Sequence, residues 1–381
     1  MAVAIMEEAR FTVRSPFEPL VAVEREVLDE RSFQRTIAFE RKRTERSGDP
    51  FLLMILEIGA ESAEKVGLLQ RMAAILLDFS RETDLVGWYR QNAILGMIFT
   101  GLPMGSEGSI RTIIVDRVQG LLGRQLSPEW LGQIRIGTHF FPDDWDSSVS
   151  HAPMNPVLYP DLATGHKKQQ PKLMVKRGID VLGSLCALVC LSPLLLLIAA
   201  AVKLTSKGPV FFRQPRVGQF GKTFTFLKFR SMYLDNDPSV HREYVRKLIA
   251  GGAERQPSKE GGGVFKLAND RRITRVGKFL RRTSLDELPQ FFNVLKGEMS
   301  LVGPRPPIPY ELQAYQAWHR RRILEAKPGI TGLWQVTGRS RVTFDEMVRL
   351  DLQYATSWTP WMDIKILLQT PLAVIRGSGA C

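Results

Sequence analysis

The sequence predicts two folded parts joined by an apolar helical segment. The first is an α/β N-terminal domain with a mostly antiparallel sheet and helices; the second is basic. Three observations predict this. Residues 30–146 alternate between helix-like and strand-like apolar periods. Val181 to Val202 runs for 22 residues without a charge. Charge is also divided: residues 1–150 carry 17 Lys and Arg against 22 Asp and Glu, a net of −5, whereas residues 151–381 carry 35 against 17, a net of +18. The whole chain, 381 residues at +13, is long enough for two or three domains, and its basic character belongs to the second part. Nucleic acid, an anionic membrane surface and phosphorylated substrates are the partner classes to weigh.

Residues 1–29 read as an N-terminal extension, and Met1 to Arg14 lacks the basic-then-apolar pattern of a signal peptide. Arg31 to Ser47 reads as a charged amphipathic helix, and Phe51 to Ile58 as a buried strand. Ala63 to Arg81 has helical periodicity through Val66, Leu69, Met72, Ile75, Leu76 and Phe79. Two short strands, Leu85 to Tyr89 and Ala93 to Thr100, flank a turn. A helix at Gly108 to Leu122 and a strand at Ile134 to Phe141 complete the order α-β-α-β-β-α-β.

Arg81 to Tyr89, followed by Arg90-Gln91-Asn92-Ala93-Ile94, resembles the hairpin of GGDEF (diguanylate cyclase) domains, and Ile134 to Asp144 is similar to their late strand. Arg90 to Ile94 stand where the family has Gly-Gly-Asp-Glu-Phe, and Glu57 and Gly59 stand where it has a metal-binding Asp-x-Asp. Without those glycines and acids neither close nucleotide approach nor a two-metal site is available. The resemblance implies a degenerate GGDEF-like domain over residues 30–146, without cyclase activity. Arg81-x-x-Asp84 lies where active members carry an inhibitory cyclic-di-GMP site. It is either a regulatory remnant or an ordinary surface ion pair or helix end.

Residues 147–171 contain four prolines and Lys167-Lys168, lack periodicity and read as a linker. The uncharged run lies within residues 172–207 and is long enough to span a bilayer. Ser192-Pro193 interrupts it, and both flanks are basic (Lys172, Lys176 and Arg177; Lys203 and Lys207). Positive flanks place both ends on the cytoplasmic side. A re-entrant helix-break-helix turning at Ser192 and Pro193 satisfies both features; a single span tolerating its proline is the alternative. Cys186 and Cys190 fall inside the run as packing residues. Together with Cys381 they form no C-x-x-C pair, so neither a disulfide framework nor a zinc site is indicated.

In residues 208–381, Gly221-Lys222-Thr223 invites a P-loop reading, but that pattern needs glycine at position 216, where Arg216 stands. Phe224 to Phe229 alternates like a strand beside Lys228 and Arg230. Asp235 to Gly263 reads as a loop around a short helix at Val240 to Leu248. Ser284-Leu285-Asp286-Glu287-Leu288-Pro289-Gln290 places two carboxylates side by side after an arginine-rich approach that includes Arg281. Adjacent anions need cations or a metal to stay charged, which suits phosphate chemistry. The same residues read as a Ser284-x-x-Glu287 capping box. Arg305, set between prolines, reads either as a pre-ordered phosphate ligand or as a rigid turn.

Several motifs occur in one order: the broken basic-flanked segment, Lys228-Phe229-Arg230-Ser231-Met232, Ser284 to Gln290, Asn293 to Gly297, Gly303-Pro304-Arg305-Pro306 and Pro328 to Gly332. This succession resembles the bacterial sugar transferase family, the monotopic polyprenyl-phosphate phosphoglycosyl transferases. Leu333-Trp334 departs from the family's usual Gly-Trp-x-Gln-Val order. The resemblance implies a mainly α-helical, mixed α/β catalytic domain on the bacterial inner membrane, with its soluble parts facing the cytoplasm. It implies transfer of a sugar-1-phosphate from a nucleoside diphosphate sugar, expected to be a UDP-sugar, to polyprenyl phosphate, for exopolysaccharide or another surface glycan. By the same resemblance Asp286 is the covalent nucleophile, Glu287 a ligand of Mg²⁺, and Arg281 and Arg305 hold phosphate. Lys228, Arg230 and Asp351 serve substrate or internal salt bridges. A membrane-anchored, non-enzymatic cyclic-di-GMP receptor is the rival. A nucleic-acid partner is disfavoured, because the arginines sit in motifs and not in a basic stripe.

Overall fold

The structure, a computed structural model, describes residues 25–59, 65–103, 107–142, 156–233, 239–252, 256–257, 263–264, 272–338 and 341–375. Most of the predicted extension 1–29, Asp143-Asp144 and part of the Asp235 to Gly263 loop lie outside these. The chain forms two compact units. One holds the described residues up to Phe33 with Met54–Thr100 and Gly108–Gly137; the other holds Gln34–Leu53, Gly101–Glu107 and the chain from Thr138 onward.

The N-terminal elements are α1 (Glu30–Ser47), β1 (Phe51–Ile58), α2 (Lys65–Phe79), β2 (Leu85–Arg90), β3 (Ile94–Phe99), α3 (Glu107–Gln125), a short α4 (Pro128–Leu131) and β4 (Ile134–Phe141). β1 is buried except at Ile55 and Glu57, as its continuous apolar run requires. The sheet order is β2-β3-β1-β4, and β2 pairs antiparallel with β3 through a tight turn at Asn92. The α-β-α-β-β-α-β order expected from periodicity is therefore present, with α4 added.

One prediction needs correcting. The second half of the presumed linker 147–171 is helical, because α5 runs from Pro160 to Cys190 with Pro171 inside it. Proline in the first helical turn gives up a donor that has no partner there, so Pro160 starts the helix. α5 stops at Leu191, and α6 (Ser192–Thr205) begins with Pro193 in its first turn, while Ser192 Oγ donates to Val189 O at 2.8 Å. Among the described residues no single helix is long and apolar enough to cross a membrane. The pair Pro171–Cys190 and Ser192–Thr205 reaches that length together, bent by 64°.

Beyond the pair come an antiparallel ribbon of β5 (Phe211–Val217) and β6 (Thr223–Phe229), then α7 (Ser239–Ile249) and two-residue strands β7 (Gln256–Pro257) and β8 (Gly263–Val264). α8 (Arg275–Thr283), α9 (Gln290–Lys296), β9 (Ser300–Val302), α10 (Ala317–Glu325), β10 (Gly329–Thr331), α11 (Leu333–Thr337), α12 (Phe344–Ser357) and α13 (Pro360–Ile375) follow. Phe226 enters a core with Val294, Met299, Val302, Tyr354 and Ile366, and Phe229 enters another with Ile198, Val202 and Leu280. The ribbon is thus fixed from two sides.

α5 is tied to this core by polar contacts. Lys176 Nζ donates to Val302 O (3.1 Å), Tyr354 Oη (3.0 Å) and Asp363 Oδ2 (2.7 Å). Arg177 donates to the carbonyls of Val294 and Leu295 at the end of α9. Asp180 accepts from Ser300 Oγ and Leu301 N.

Candidate active site

Asp286 and Glu287 are presented by an abrupt turn. Thr274 caps α8, its Oγ1 accepting from Gly277 N at 2.8 Å. Gly277 itself crosses Ser231 O so closely that a Cβ there would collide with backbone. α8 ends at Ser284, whose φ of 56° is left-handed and cannot continue the helix. Leu285–Glu287 form one 3₁₀ turn, and α9 starts after Pro289. The expected Ser284-x-x-Glu287 capping box is absent: Ser284 closes the preceding helix, and its side chain makes no cap bond. The Glu287 carboxylate is taken instead by Lys228.

Lys228, on β6, faces both acids. Its Nζ lies 2.5 Å from Glu287 Oε1 and 3.8 Å from Asp286 Oδ2. One ammonium therefore serves two carboxylates. Asp286 is 6% exposed. Burial pushes its pKa up, with Glu287 adding to the rise and Lys228 and Arg281 opposing it. For Glu287 burial acts the same way but is outweighed by Lys228 and Arg305, which hold it down at about 2. The neighbours thus acquire different proton affinities. Asp286, Glu287, Lys228, Arg281 and Arg305 from the sequence reading are brought into one electrostatic neighbourhood.

Arg305 is carried by a rigid loop. β9 and β10 pair in parallel, and the backbones cross so closely that a Cβ on Gly329 would strike Gly303 and a Cβ on Gly303 would strike the Lys327 carbonyl. The loop leaves this crossing through Pro304, and Arg305 stands exposed.

For two other candidates, read as serving substrate or internal bonds, the structure shows internal bonds. Arg230 is buried, and its Nη2 donates to Ser206 O (2.7 Å) and Ser206 Oγ (2.8 Å), closing the end of α6. Asp351 is 1% exposed and lies 2.6 Å from Arg322 Nη2, an internal ion pair. Sequence reasoning missed Arg216 and Glu311. Arg216 is buried; burial and the nearby Arg305 lower its pKa to about 10, while Glu311 and Glu287 oppose the fall. Glu311 is pushed up by burial against Arg216, Arg305 and Arg322. Nothing in the spacing of either residue marks it; only the fold brings them near Arg305.

In the N-terminal domain, Asp84 is buried, and its Oδ2 accepts from Arg81 N at 3.2 Å. Arg25 donates to the carbonyls of Ser80, Arg81 and Asp84. The Asp84 carboxylate therefore closes its own turn.

Among the described residues no cluster of three or more His, Cys, Asp or Glu could hold a metal. Two adjacent carboxylates, one of them firmly ionised, fit Mg²⁺ as an ion shared with substrate phosphate, since Mg²⁺ prefers few carboxylates plus phosphate oxygens and water.

An acid pair under one lysine, Asp286 buried and Glu287 half-buried, with arginines at its edge, has the charge pattern of a phosphate-handling site. The chain belongs to the bacterial sugar transferase family, whose model matches residues 171–377. The galactosyl transferase CpsE of Streptococcus agalactiae is 45% identical over 209 residues, 55% of this chain and 44% of that protein. The undecaprenyl-phosphate galactose phosphotransferase of Salmonella typhimurium is 45% identical over 206 residues, 54% of this chain and 41% of that protein. The exopolysaccharide production protein ExoY of Rhizobium meliloti is 41% identical over 207 residues, 54% of this chain and 88% of that protein. The chain spans less than half the length of the first two. Two solved structures are also similar to it. A DGC protein from Thermotoga maritima has a TM-score of 0.26 and 20% identity, over 31% of this chain and 85% of its own. The GGDEF domain of DgcB from Caulobacter crescentus has a TM-score of 0.23 and 14% identity, over 30% and 70%. Likeness at these scores carries no argument about the N-terminal domain.

Proposed function

We propose that the chain transfers a sugar-1-phosphate from a nucleoside diphosphate sugar to polyprenyl phosphate, initiating a surface glycan. The observation that carries this is Asp286: a buried carboxylate beside a lysine shared with Glu287, inside the family-matched region. In the first step an ionised Asp286 oxygen attacks the sugar-linked phosphorus. An aspartyl–phosphosugar bond forms, the diphosphate bridge breaks, and nucleoside monophosphate leaves with the bridging electron pair. In the second step a polyprenyl phosphate oxygen attacks the same phosphorus and Asp286 departs as carboxylate. Lys228, Arg281 and Arg305 stabilise phosphate charge as it redistributes. Mg²⁺, held by Glu287 and substrate phosphate, would supply Lewis-acid stabilisation of that charge.

The bent pair supports a re-entrant membrane seat. Leu182, Leu185, Val189, Leu196, Leu197 and Leu204 are exposed along it, an apolar surface with no protein cover. The acceptor's phosphate lies at headgroup level, so this seat brings nucleophile and acceptor together on the cytoplasmic side of the inner membrane. The test is nucleoside monophosphate release by the full-length protein from a panel of UDP-sugars with undecaprenyl phosphate. One donor should give acceptor-dependent release, and silence across the panel overturns the reading.

A further inference from the structure

The loop that carries Arg305 has unusual backbone bonding. Pro304, Pro306 and Pro307 have no N–H, so within 304–307 only Arg305 can donate from the backbone. Four successive carbonyls are nevertheless satisfied, each from outside the loop. Pro304 O accepts from Gly329 N (2.9 Å) and Arg305 O from Arg322 Nη2 (3.1 Å). Pro306 O accepts from Arg216 Nη1 (2.8 Å) and Pro307 O from Val217 N (2.9 Å). Two of the four donors are guanidinium groups buried beneath an exposed arginine.

The two guanidiniums are not equivalent. Arg322 is neutralised by Asp351 at 2.6 Å and also donates to Tyr315 Oη at 3.1 Å. Arg216 hydrogen-bonds neutral partners, Pro306 O and Gln214 Oε1 (3.1 Å), with its guanidinium over the Phe226 ring at 5.1 Å; Glu311 and Glu287 act on it through space and not as hydrogen-bonded counter-ions among the described residues. Its charge bears on Arg305, with the nearby Glu311 carboxylate offsetting part of it. A like charge beneath an exposed arginine leaves that arginine a stronger ligand for an incoming anion.

We propose that Arg216 is a positioning residue for the donor diphosphate, acting through Arg305 by fixing the Pro306 carbonyl and keeping the Arg305 guanidinium available to the phosphates, with Arg322 as the neutralised half of the same clamp. This rests on the transferase reading. It goes beyond it in placing donor affinity in a buried residue that does not touch the substrate.

The experiment is a double-mutant cycle on the full-length protein in detergent with undecaprenyl phosphate and its active UDP-sugar. Arg216→Gln should raise donor KM about tenfold, leave acceptor KM unchanged, and change kcat by less than about threefold. In an Arg305→Met background the same substitution should change donor KM by less than about twofold. A purely structural arginine would lower kcat with the active fraction and leave both KM values alone; that result overturns the proposal, as does an additive cycle. If Arg216→Gln fails to fold, Arg216→Lys keeps the charge but not both hydrogen bonds. It should raise donor KM about threefold, and only when Arg305 is present; an equal rise without Arg305 overturns the proposal. Wild-type protein that releases no nucleotide would instead defeat the transferase reading itself, a distinguishable failure.

Discussion

Asp351 and Asp286 are both buried carboxylates facing a cation, yet they are built differently. Asp351 has a partner of its own in Arg322 at 2.6 Å, and burial lifts its pKa to about 6 against that partner's pull. Asp286 stands 3.8 Å from a lysine that lies much closer to Glu287. A one-to-one pair is electrostatically closed and has nothing left to offer a ligand. Two acids on one ammonium leave one under-compensated, and under the proposed mechanism that one is the nucleophile.

Substitutions can break this contrast. Asp286→Asn should lower turnover by at least about 10³-fold and abolish a labelled covalent adduct. Its melting curve should be unchanged or slightly raised, because a buried, poorly compensated charge is removed. Near-normal turnover would end the nucleophile assignment. Asp351→Ala should do the reverse, costing about 3–5 kcal/mol of stability in denaturant melts by stranding Arg322. Unchanged stability would mean that the pair is not closed. Lys228→Met sharpens the comparison through pH. Lys228 holds the raised Asp286 pKa down, so its loss should move the acidic limb of kcat/KM to higher pH. In the wild-type protein Glu287, held at about 2, lies below that limb; because Lys228 is part of what holds it there, Glu287 also rises in the variant. A limb that stays in place would detach Asp286 from it. The smallest effect belongs to Asp84→Ala, which removes a turn cap at a cost of about 1 kcal/mol and leaves transfer intact. Calorimetry with cyclic-di-GMP should give no heat, since the Asp84 carboxylate closes its own turn; measurable heat would restore a regulatory role.

The parts legible in the sequence were those governed by local rules. β1 and β4 coincide with their apolar runs, and the break at Ser192-Pro193 is where the helix bends. The acid pair was visible as adjacency. What adjacency concealed was direction: Ser284-x-x-Glu287 satisfies the capping pattern, but the left-handed Ser284 sends Glu287 to Lys228, 59 residues away. Arg230 reads in the sequence only as serving substrate or an internal salt bridge, and Arg216 only as the residue that breaks a P-loop pattern. Their partners, Ser206 and Pro306, are set by tertiary packing that no window of sequence contains. Pro160 and Pro171 suggested a linker because proline is usually read as a breaker, whereas a first-turn proline begins a helix.

Lys176 bears on how the protein can be handled. An exposed apolar helix pair ahead of a folded domain invites trimming to obtain soluble protein. Here the ammonium at the foot of that pair is bonded to Tyr354 and Asp363, and Asp363 is 2% exposed. A chain cut beyond Lys176 would strand an anion in an apolar interior and free the end of α9, which Arg177 holds beside the acid pair. The bent helix pair is part of the fold's foundation, and a soluble preparation is better sought with an amphiphile that covers its exposed apolar side chains than by shortening the polypeptide.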